Sequence, residues 1–301
     1  MTAPSGLPDG LTTRPLTLAD AESVHAVIAA EEEVDLGEAE MTLADVVADW
    51  QRPSYDVSAR TIGVFDGDRL VAYADHSDVD VAYTAVLPSY QGRGIGTAIA
   101  QWLQATARAA GSTRIGTQVP QDSAADRLMR DLGYEARWTA WDLELPPSSE
   151  IAARPLPPGF VLRDAEEADR SSAWTLVEDC FLEWSDRDRM SLDDFGARVW
   201  GRPGFEPWNL RLLVSPDSEV VGATHVFLAG GSAYVARIAV RPDHRGRGLA
   251  PSMLVDAFAR AREHGADRCY LSTDTRAGAR GLYEKVGMVV ASTWVNRAIA
   301  L

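Results

Sequence analysis

The chain contains the same unit twice, and this internal repeat limits its possible folds more than any other feature. Val86-Leu87-Pro88-Ser89-Tyr90-Gln91-Gly92-Arg93-Gly94-Ile95-Gly96 returns as Val240-Arg241-Pro242-Asp243-His244-Arg245-Gly246-Arg247-Gly248-Leu249-Ala250, displaced by 154 positions. The same displacement carries Leu128-Met129-Arg130-Asp131-Leu132-Gly133-Tyr134 onto Leu282-Tyr283-Glu284-Lys285-Val286-Gly287-Met288 without a gap. Two matches at one displacement define two copies of a single unit. Nearer the start of each copy, Gly10 to Arg14 lies over Gly159 to Arg163 at 149, so the second copy has a net five extra residues ahead of its glycine motif. Leu145-Pro146-Pro147-Ser148-Ser149 and Arg154-Pro155-Leu156-Pro157-Pro158-Gly159 read as a stiff linker. The boundary is placed near Glu150, which gives domains 1–150 and 151–301.

Composition agrees with two folded domains and removes several classes of function. At 301 residues, 46% apolar and 24% charged, the chain is globular and of two-domain length. Its first sixteen residues are broken by Pro4, Gly6, Pro8, Gly10 and Pro15, so they form neither the apolar core of a signal peptide nor a membrane span. A cytoplasmic protein without membrane partners is expected. Cys180 and Cys269 are too few and too isolated for a disulfide framework or a Cys-based metal site, and no metal is expected. Residues 1–150 hold 10 Arg against 24 Asp plus Glu, and residues 151–301 hold 19 Lys plus Arg against 20, so the net charge of −15 divides as −14 and −1. Nucleic-acid affinity rests on clustered cations, so nucleic acid is not an expected partner.

The repeated motif sits between a strand and a helix. Val79 to Val86 and Ala233 to Val240 are β-rich runs stopped by Pro88 and Pro242. Ile95, Ile99, Trp102 and Leu103 then recur at helical spacing, as do Leu249, Met253, Leu254, Ala257 and Phe258, with Gly111 and Gly265 as stops. A second strand follows in each copy, Arg114 to Val119 and Arg268 to Thr273, and then a short helix ending at Gly133 or Gly287, in alternating α/β order. A glycine turn that opens a helix presents bare backbone amides to an anion at the positive end of the helix dipole. It is a phosphate cradle, yet neither G-x-x-x-x-G-K-[ST] nor G-x-G-x-x-G is present. The motifs that remain are Gln91-x-x-Gly94-x-Gly96 and Arg245-x-x-Gly248-x-Ala250, each introduced by Val-x-Pro.

Both motifs resemble the acyl-CoA pyrophosphate loop of GNAT-type N-acetyltransferases, Q/R-x-x-G-x-G/A after a strand, and each is followed at the family spacing by A-x-x-L-x-x-x-x-G. The resemblance covers about two thirds of each half. It implies an α/β (α+β) chain of two tandem GNAT folds, each a mixed, mostly antiparallel sheet flanked by helices, in an arrangement like that of mycothiol-synthase-like or antibiotic-acetyltransferase-like tandem members. It also implies acetyl-CoA as acyl donor. The implied donor-binding positions are Ala85, Val86, Gln91, Gly92, Arg93, Gly94, Ile95 and Gly96 in the first half. In the second they are Ile238, Ala239, Val240, Arg245, Gly246, Arg247, Gly248, Leu249 and Ala250. Arg93 and Arg247 would add charge-assisted contacts, and Pro251 removes one amide from the first helical turn.

Acyl transfer to an amine needs a proton for the departing thiolate and an acceptor for the amine proton. By resemblance, Tyr283 in Leu282-Tyr283-Glu284-Lys285-Val286-Gly287 is the acid, where the first half has Met129. The family's carboxylate base position holds Asp80 in the first half and Tyr234 in the second, which leaves a water relay or His225 on the strand Val220 to Phe227. Residues 159–301 are therefore expected to be catalytic and residues 11–145 to be a diverged copy. Acidic segments in both acceptor regions, from Glu31 to Glu40 and from Glu178 to Asp194, would steer a cationic amine or else merely solvate the surface. The five extra residues fall where acceptor loops are expected to vary, and Trp184, Trp200, Phe205 and Trp208 near them would wall a pocket or belong to the core. A small-molecule amine is the expected acceptor; a non-catalytic acyl-CoA-sensing module and a protein or peptide N-acetyltransferase are the alternatives. Oligomeric state is not written in the sequence.

Overall fold

Proline stops and glycine terminators act where the repeat places them. The computed structural model describes residues 4–146, 149 and 152–301. The first copy contains β1 (Leu11–Arg14), α1 (Ala21–Asp35), α2 (Leu43–Trp50), α3 (Val57–Arg60), β2 (Thr61–Asp66), β3 (Arg69–Asp78), β4 (Val81–Val86), α4 (Ile95–Ala109), β5 (Arg114–Pro120), α5 (Ala124–Asp131) and β6 (Glu135–Leu145). The second contains β7 (Val161–Asp164), α6 (Arg170–Leu182), α7 (Leu192–Arg198), β8 (Leu210–Val214), β9 (Val220–Ala229), β10 (Ser232–Val240), α8 (Leu249–Glu263), β11 (Arg268–Asp274), α9 (Arg280–Val286) and β12 (Val289–Ala300). Repeated ties support the repeated elements. Arg14 pairs with Asp20 as Arg163 pairs with Asp169, both at 2.6 Å. Thr42 and Ser191 cap α2 and α7 by accepting the amides of Asp45 and Asp194.

The chain divides into two units: one up to Thr139 together with Thr293–Leu301, the other Ala140–Ser292. In the first, the strand order is β1-β2-β3-β4-β5-β12, antiparallel except for β4 with β5. In the second it is β7-β8-β9-β10-β11-β6, antiparallel except for β10 with β11. Each is the expected mixed, mostly antiparallel sheet with helices against it. Apolar clusters fill both units, one around Val64, Ala72, Ile99 and Leu103, the other around Leu143, Leu254, Phe258 and Leu271.

These units differ from the division at Glu150, which itself lies outside the described residues, as do Pro147 and Ser148 of the linker. The partner of β5 is Trp294–Ala300 from the end of the second copy, while Ala140–Leu145 from the end of the first copy pairs with β11. Last strands are thus exchanged between the repeats. Linear sequence is blind to this, because either last strand presents the same alternation to either sheet.

The five extra residues also lie elsewhere than expected. Val86 pairs with Ala72 and Val240 with Gly222, so the hairpin of β9 and β10 holds four residues more than that of β3 and β4. The fifth lies at the end of α7, because Thr42 and Ser191 differ by 149 and Arg52 and Arg202 by 150. The acceptor-side loop is therefore almost unchanged in length between the copies.

Candidate active site

The glycine turns take the form their chemistry requires. Pro88–Tyr90 and Pro242–His244 each make one turn of 3-10 helix, and two left-handed glycines follow, Gly92 and Gly94 (φ 72° and 86°) or Gly246 and Gly248 (φ 75° and 78°). Only glycine adopts this backbone without strain. Gly94 and Gly248 are the N-caps of α4 and α8, and neither helix receives a side-chain cap, so its first amides point outward from an exposed loop. Alongside, the parallel ladders end early: β4 meets β5 only at Val81 with Gly116, and β10 meets β11 only from Ser232 to Tyr234. Ala85, Val86, Ile238, Ala239 and Val240 lie beyond the last parallel pair. A loop of bare amides beside a parted pair of strands is suited to an extended ligand that ends in a phosphate.

Side chains of the motif serve the loop itself. Arg245 donates through Nε to the Val240 carbonyl (2.8 Å) and through both terminal nitrogens to Glu183 (2.6 and 2.7 Å). Gln91, its counterpart, donates through Nε2 to the Val86 carbonyl and to Glu31 Oε1, both at 3.3 Å. The first residue of the motif therefore pins the loop to the end of its strand, and the loop's exposed backbone amides are the groups suited to a phosphate. Arg93 and Arg247 bend back to the carbonyls of Ser89 (2.7 Å) and Asp243 (3.3 Å), and both remain exposed beside the loop.

Behind the loops the two copies differ. Glu31 Oε1 also accepts the Val86 amide at 3.3 Å, and burial raises its carboxyl pKa to about 7. At the equivalent helical position, 149 residues on, Cys180 Sγ donates to the Val240 carbonyl at 3.5 Å. One parted strand thus has a carboxylate on its last amide, and the other has a thiol on its last carbonyl.

Tyr283 lies in α9, buried in the cluster of Val235, Leu254 and Leu271. Its hydroxyl has no hydrogen-bond partner among the described residues, and desolvation raises its pKa to about 12. Met129 replaces it in α5, packed on Ala100 and Tyr134. Asp80 sits in the turn before β4, where Arg114 and Arg137 each approach Oδ2 to 2.8 Å. Tyr234 is half-buried at the last parallel pair, its ring centroid 4.9 Å from that of Tyr270.

His225, on β9, is 1% exposed. Arg237 Nη1 lies 3.4 Å from its Nδ1. A guanidinium only donates, so Nδ1 is the acceptor and Nε2 carries the hydrogen, with no partner among the described residues. Burial, then the charges of Arg237 and Arg202, hold its pKa well below the usual imidazole range. The ring is neutral, and its remaining nitrogen is a donor.

The acidic segments are largely engaged in holding their own loops. Glu32 Oε2 accepts the amides of Glu40 and Met41 (2.7 and 2.9 Å), and buried Glu178 takes both terminal nitrogens of Arg187 and the Met190 amide. The four tryptophan and phenylalanine candidates do not share one pocket: Trp208 belongs to the core and stacks on the exposed His264, Trp184 packs on Phe181, and Trp200 and Phe205 line a cavity of about 530 Å³.

One repeated segment escaped the sequence analysis. Trp50-Gln51-Arg52-Pro53-Ser54-Tyr55 corresponds to Trp200-Gly201-Arg202-Pro203-Gly204-Phe205 at 150, the pattern W-x-R-P-x-aromatic. Arg52 and Arg202 are both buried, the first over the Tyr55 ring at 4.7 Å and the second over Phe227 at 3.6 Å. The pattern is visible when the copies are compared at this third displacement, after 154 and 149.

Comparison with known proteins agrees with this geometry. The pattern of the Acetyltransferase (GNAT) family matches residues 23–134 and 171–288. A mycothiol acetyltransferase of Salinispora arenicola is 31% identical over 249 residues, 78% of this chain and 80% of its own. Another, from Thermobispora bispora, is 28% identical over 76% of this chain and 80% of its own. Among solved structures, a GCN5-related N-acetyltransferase from Sphaerobacter thermophilus superposes with a TM-score of 0.75 at 24% identity, covering 98% of this chain and 96% of that one. Among the described residues no helix is long and apolar enough to cross a membrane.

Proposed function

The chain belongs to the acetyltransferase (GNAT) family, and we propose that it moves an acetyl group from acetyl-CoA to the primary amine of a small, cationic or amino-sugar-like molecule, with the chemistry in its second half. One observation carries the assignment to that half: a tyrosine hydroxyl without a partner among the described residues, Tyr283, accompanies the Gly246–Gly248 loop, whereas Met129 accompanies the Gly92–Gly94 loop. The small-molecule acceptor is supported by the mycothiol acetyltransferases that match three quarters of the chain.

In this reading the exposed amides from Gly246 to Ala250 bind the donor's pyrophosphate, and the free edge from Ile238 to Val240 aligns the arm that bears the thioester. The acceptor nitrogen forms the new C–N bond as the C–S bond breaks in a ternary complex. Tyr283 gives its proton to the leaving sulfur, which departs as free thiol. A raised pKa suits that role, because the phenol stays protonated across the physiological range. The amine loses its own proton to water, since His225 holds its lone pair against Arg237. The test is release of free CoA thiol from acetyl-CoA over a panel of polyamines, aminoglycosides, amino sugars, cysteinyl-glucosamine conjugates and peptides. Turnover with a small amine supports the reading; turnover with peptides alone, or none with any amine although acetyl-CoA binds, overturns it.

A further inference from the structure

We propose that the cavity walled by Trp200 and Phe205 is a binding site for a small aromatic organic cation, separate from the centre of acyl transfer. The cavity has a volume of about 530 Å³, within the range of small-molecule sites. Its apolar wall is Ala165, Trp200, Phe205 and Pro207. Its charged lining is Arg163, paired with Asp169, and the carboxylates Asp164, Glu166 and Glu167, of which Asp164 is also paired with Arg211 and Glu167 with Arg170. Flat aromatic faces under a negative rim attract a cation that also carries a ring. The protein already uses Trp200 in this way: the guanidinium of Arg170 lies 5.3 Å from its ring centroid, tethered to Glu167 at 3.0 Å.

The repeat explains why these aromatics stand at a cavity wall. In the first copy the buried carboxylate of Asp75 accepts the Trp50 indole N–H (3.1 Å) and the Tyr55 hydroxyl, which draws both rings into the core. In the second copy the position of Asp75 is held by His225, whose remaining ring nitrogen donates, and that of Tyr55 by Phe205, which has no hydroxyl. Neither ring has an acceptor to draw it inward. Trp200 and Phe205 stay half-buried, tilted with their centroids 6.2 Å apart. The same W-x-R-P-x-aromatic segment thus packs a core in one copy and lines a cavity in the other.

Its place in the sheet separates the cavity from the reaction. Arg163 and Asp164 belong to β7, three strands from β10, a distance of about 14 Å at ordinary strand spacing. The β7 wall of the cavity therefore stands apart from the strand proposed to align the donor.

Benzyltrimethylammonium is the probe, because a quaternary nitrogen cannot be acylated and its binding is independent of which amine, if any, the enzyme acetylates. Calorimetric titration of the full chain without acetyl-CoA is expected to give saturable binding below about 5 mM, with benzyl alcohol at least about tenfold weaker. Trp200→Ala is expected to weaken binding about tenfold or more. Glu167→Gln, on an exposed side chain, should keep the melting temperature and weaken binding about threefold at low salt, with the difference vanishing at high salt. Absence of saturable heat, equal affinity for benzyl alcohol, or unchanged binding in Glu167→Gln at low salt would overturn the proposal. Because Glu167→Gln leaves the core untouched, the result stands even where Trp200→Ala does not fold.

Discussion

Asp75 and His225 hold the same position in the two copies, Asp75 opposite Tyr83 on β4 and His225 opposite Arg237 on β10. Both are almost fully buried and both are ionisable, but Asp75 ionises to an anion and His225 to a cation, and each faces guanidinium charge. Asp75 is held by the donors Trp50 and Tyr55. His225 is held neutral between two guanidinium groups. The first copy has closed this position with its own side chains, while the second retains a buried N–H with no partner among the described residues.

The stability of the first unit should therefore depend on pH through Asp75. Burial raises its carboxyl pKa to about 6, above the ordinary carboxyl value of about 3.8. The folded state binds that proton more tightly than the unfolded state, so the contribution is fully present below pH about 3.8 and is lost as pH rises through about 6. The size is roughly 3 kcal/mol, since one pKa unit corresponds to about 1.4 kcal/mol. Asp75→Asn cannot ionise. The difference in melting temperature between wild type and Asp75→Asn should thus shift in favour of the variant between pH 4 and pH 8; a constant difference would contradict the assignment.

Glycine substitutions separate the two loops. Gly94 and Gly248 have open space where a Cβ would stand, so the cost of alanine is the left-handed backbone, about 1–2 kcal/mol. Gly248→Ala should lower kcat/KM at least about tenfold by distorting the amides that face the pyrophosphate, while Gly94→Ala leaves turnover within about twofold. Equal losses in both variants would place chemistry in both halves. Pre-steady-state release of thiol distinguishes a binding defect from a chemical one.

Exchange of the last strands predicts that neither half of the sequence is an independent protein. Residues 1–150 lack Trp294–Ala300 along β5, and residues 151–301 lack Ala140–Leu145 along β11. Each would present an unpaired sheet edge. Produced alone, neither should show a cooperative melt; produced together, they should recover acetyl-transfer activity. A cooperative melt of residues 1–150 alone near the temperature of the whole chain would contradict this.

Local chemistry was the legible part of the sequence. Pro88, Pro242 and the paired glycines act on their immediate backbone, so the strand, the glycine turn and the helix could be read to within two residues. What depended on distant partners could not be read. That Arg245 turns its side chain to Glu183 and that β6 and β12 change sheets are settled by residues far apart in the chain. The extra residues were assigned to an acceptor loop because a displacement counts insertions without locating them; strand register put four of them in the β9–β10 hairpin.

Substitution of Tyr283 tests catalysis in the second half most directly. With the best amine of the panel, release of CoA thiol should fall about 10²–10⁴-fold in kcat for Tyr283→Phe, with KM for acetyl-CoA changed less than about threefold. The wild-type profile should show no loss from Tyr283 ionisation below pH about 11, because its pKa lies near 12. Met129→Ala, made in parallel, should leave kcat within about twofold. Unchanged kcat in Tyr283→Phe would remove the proton donor from the proposed mechanism and move the search for chemistry to the first half.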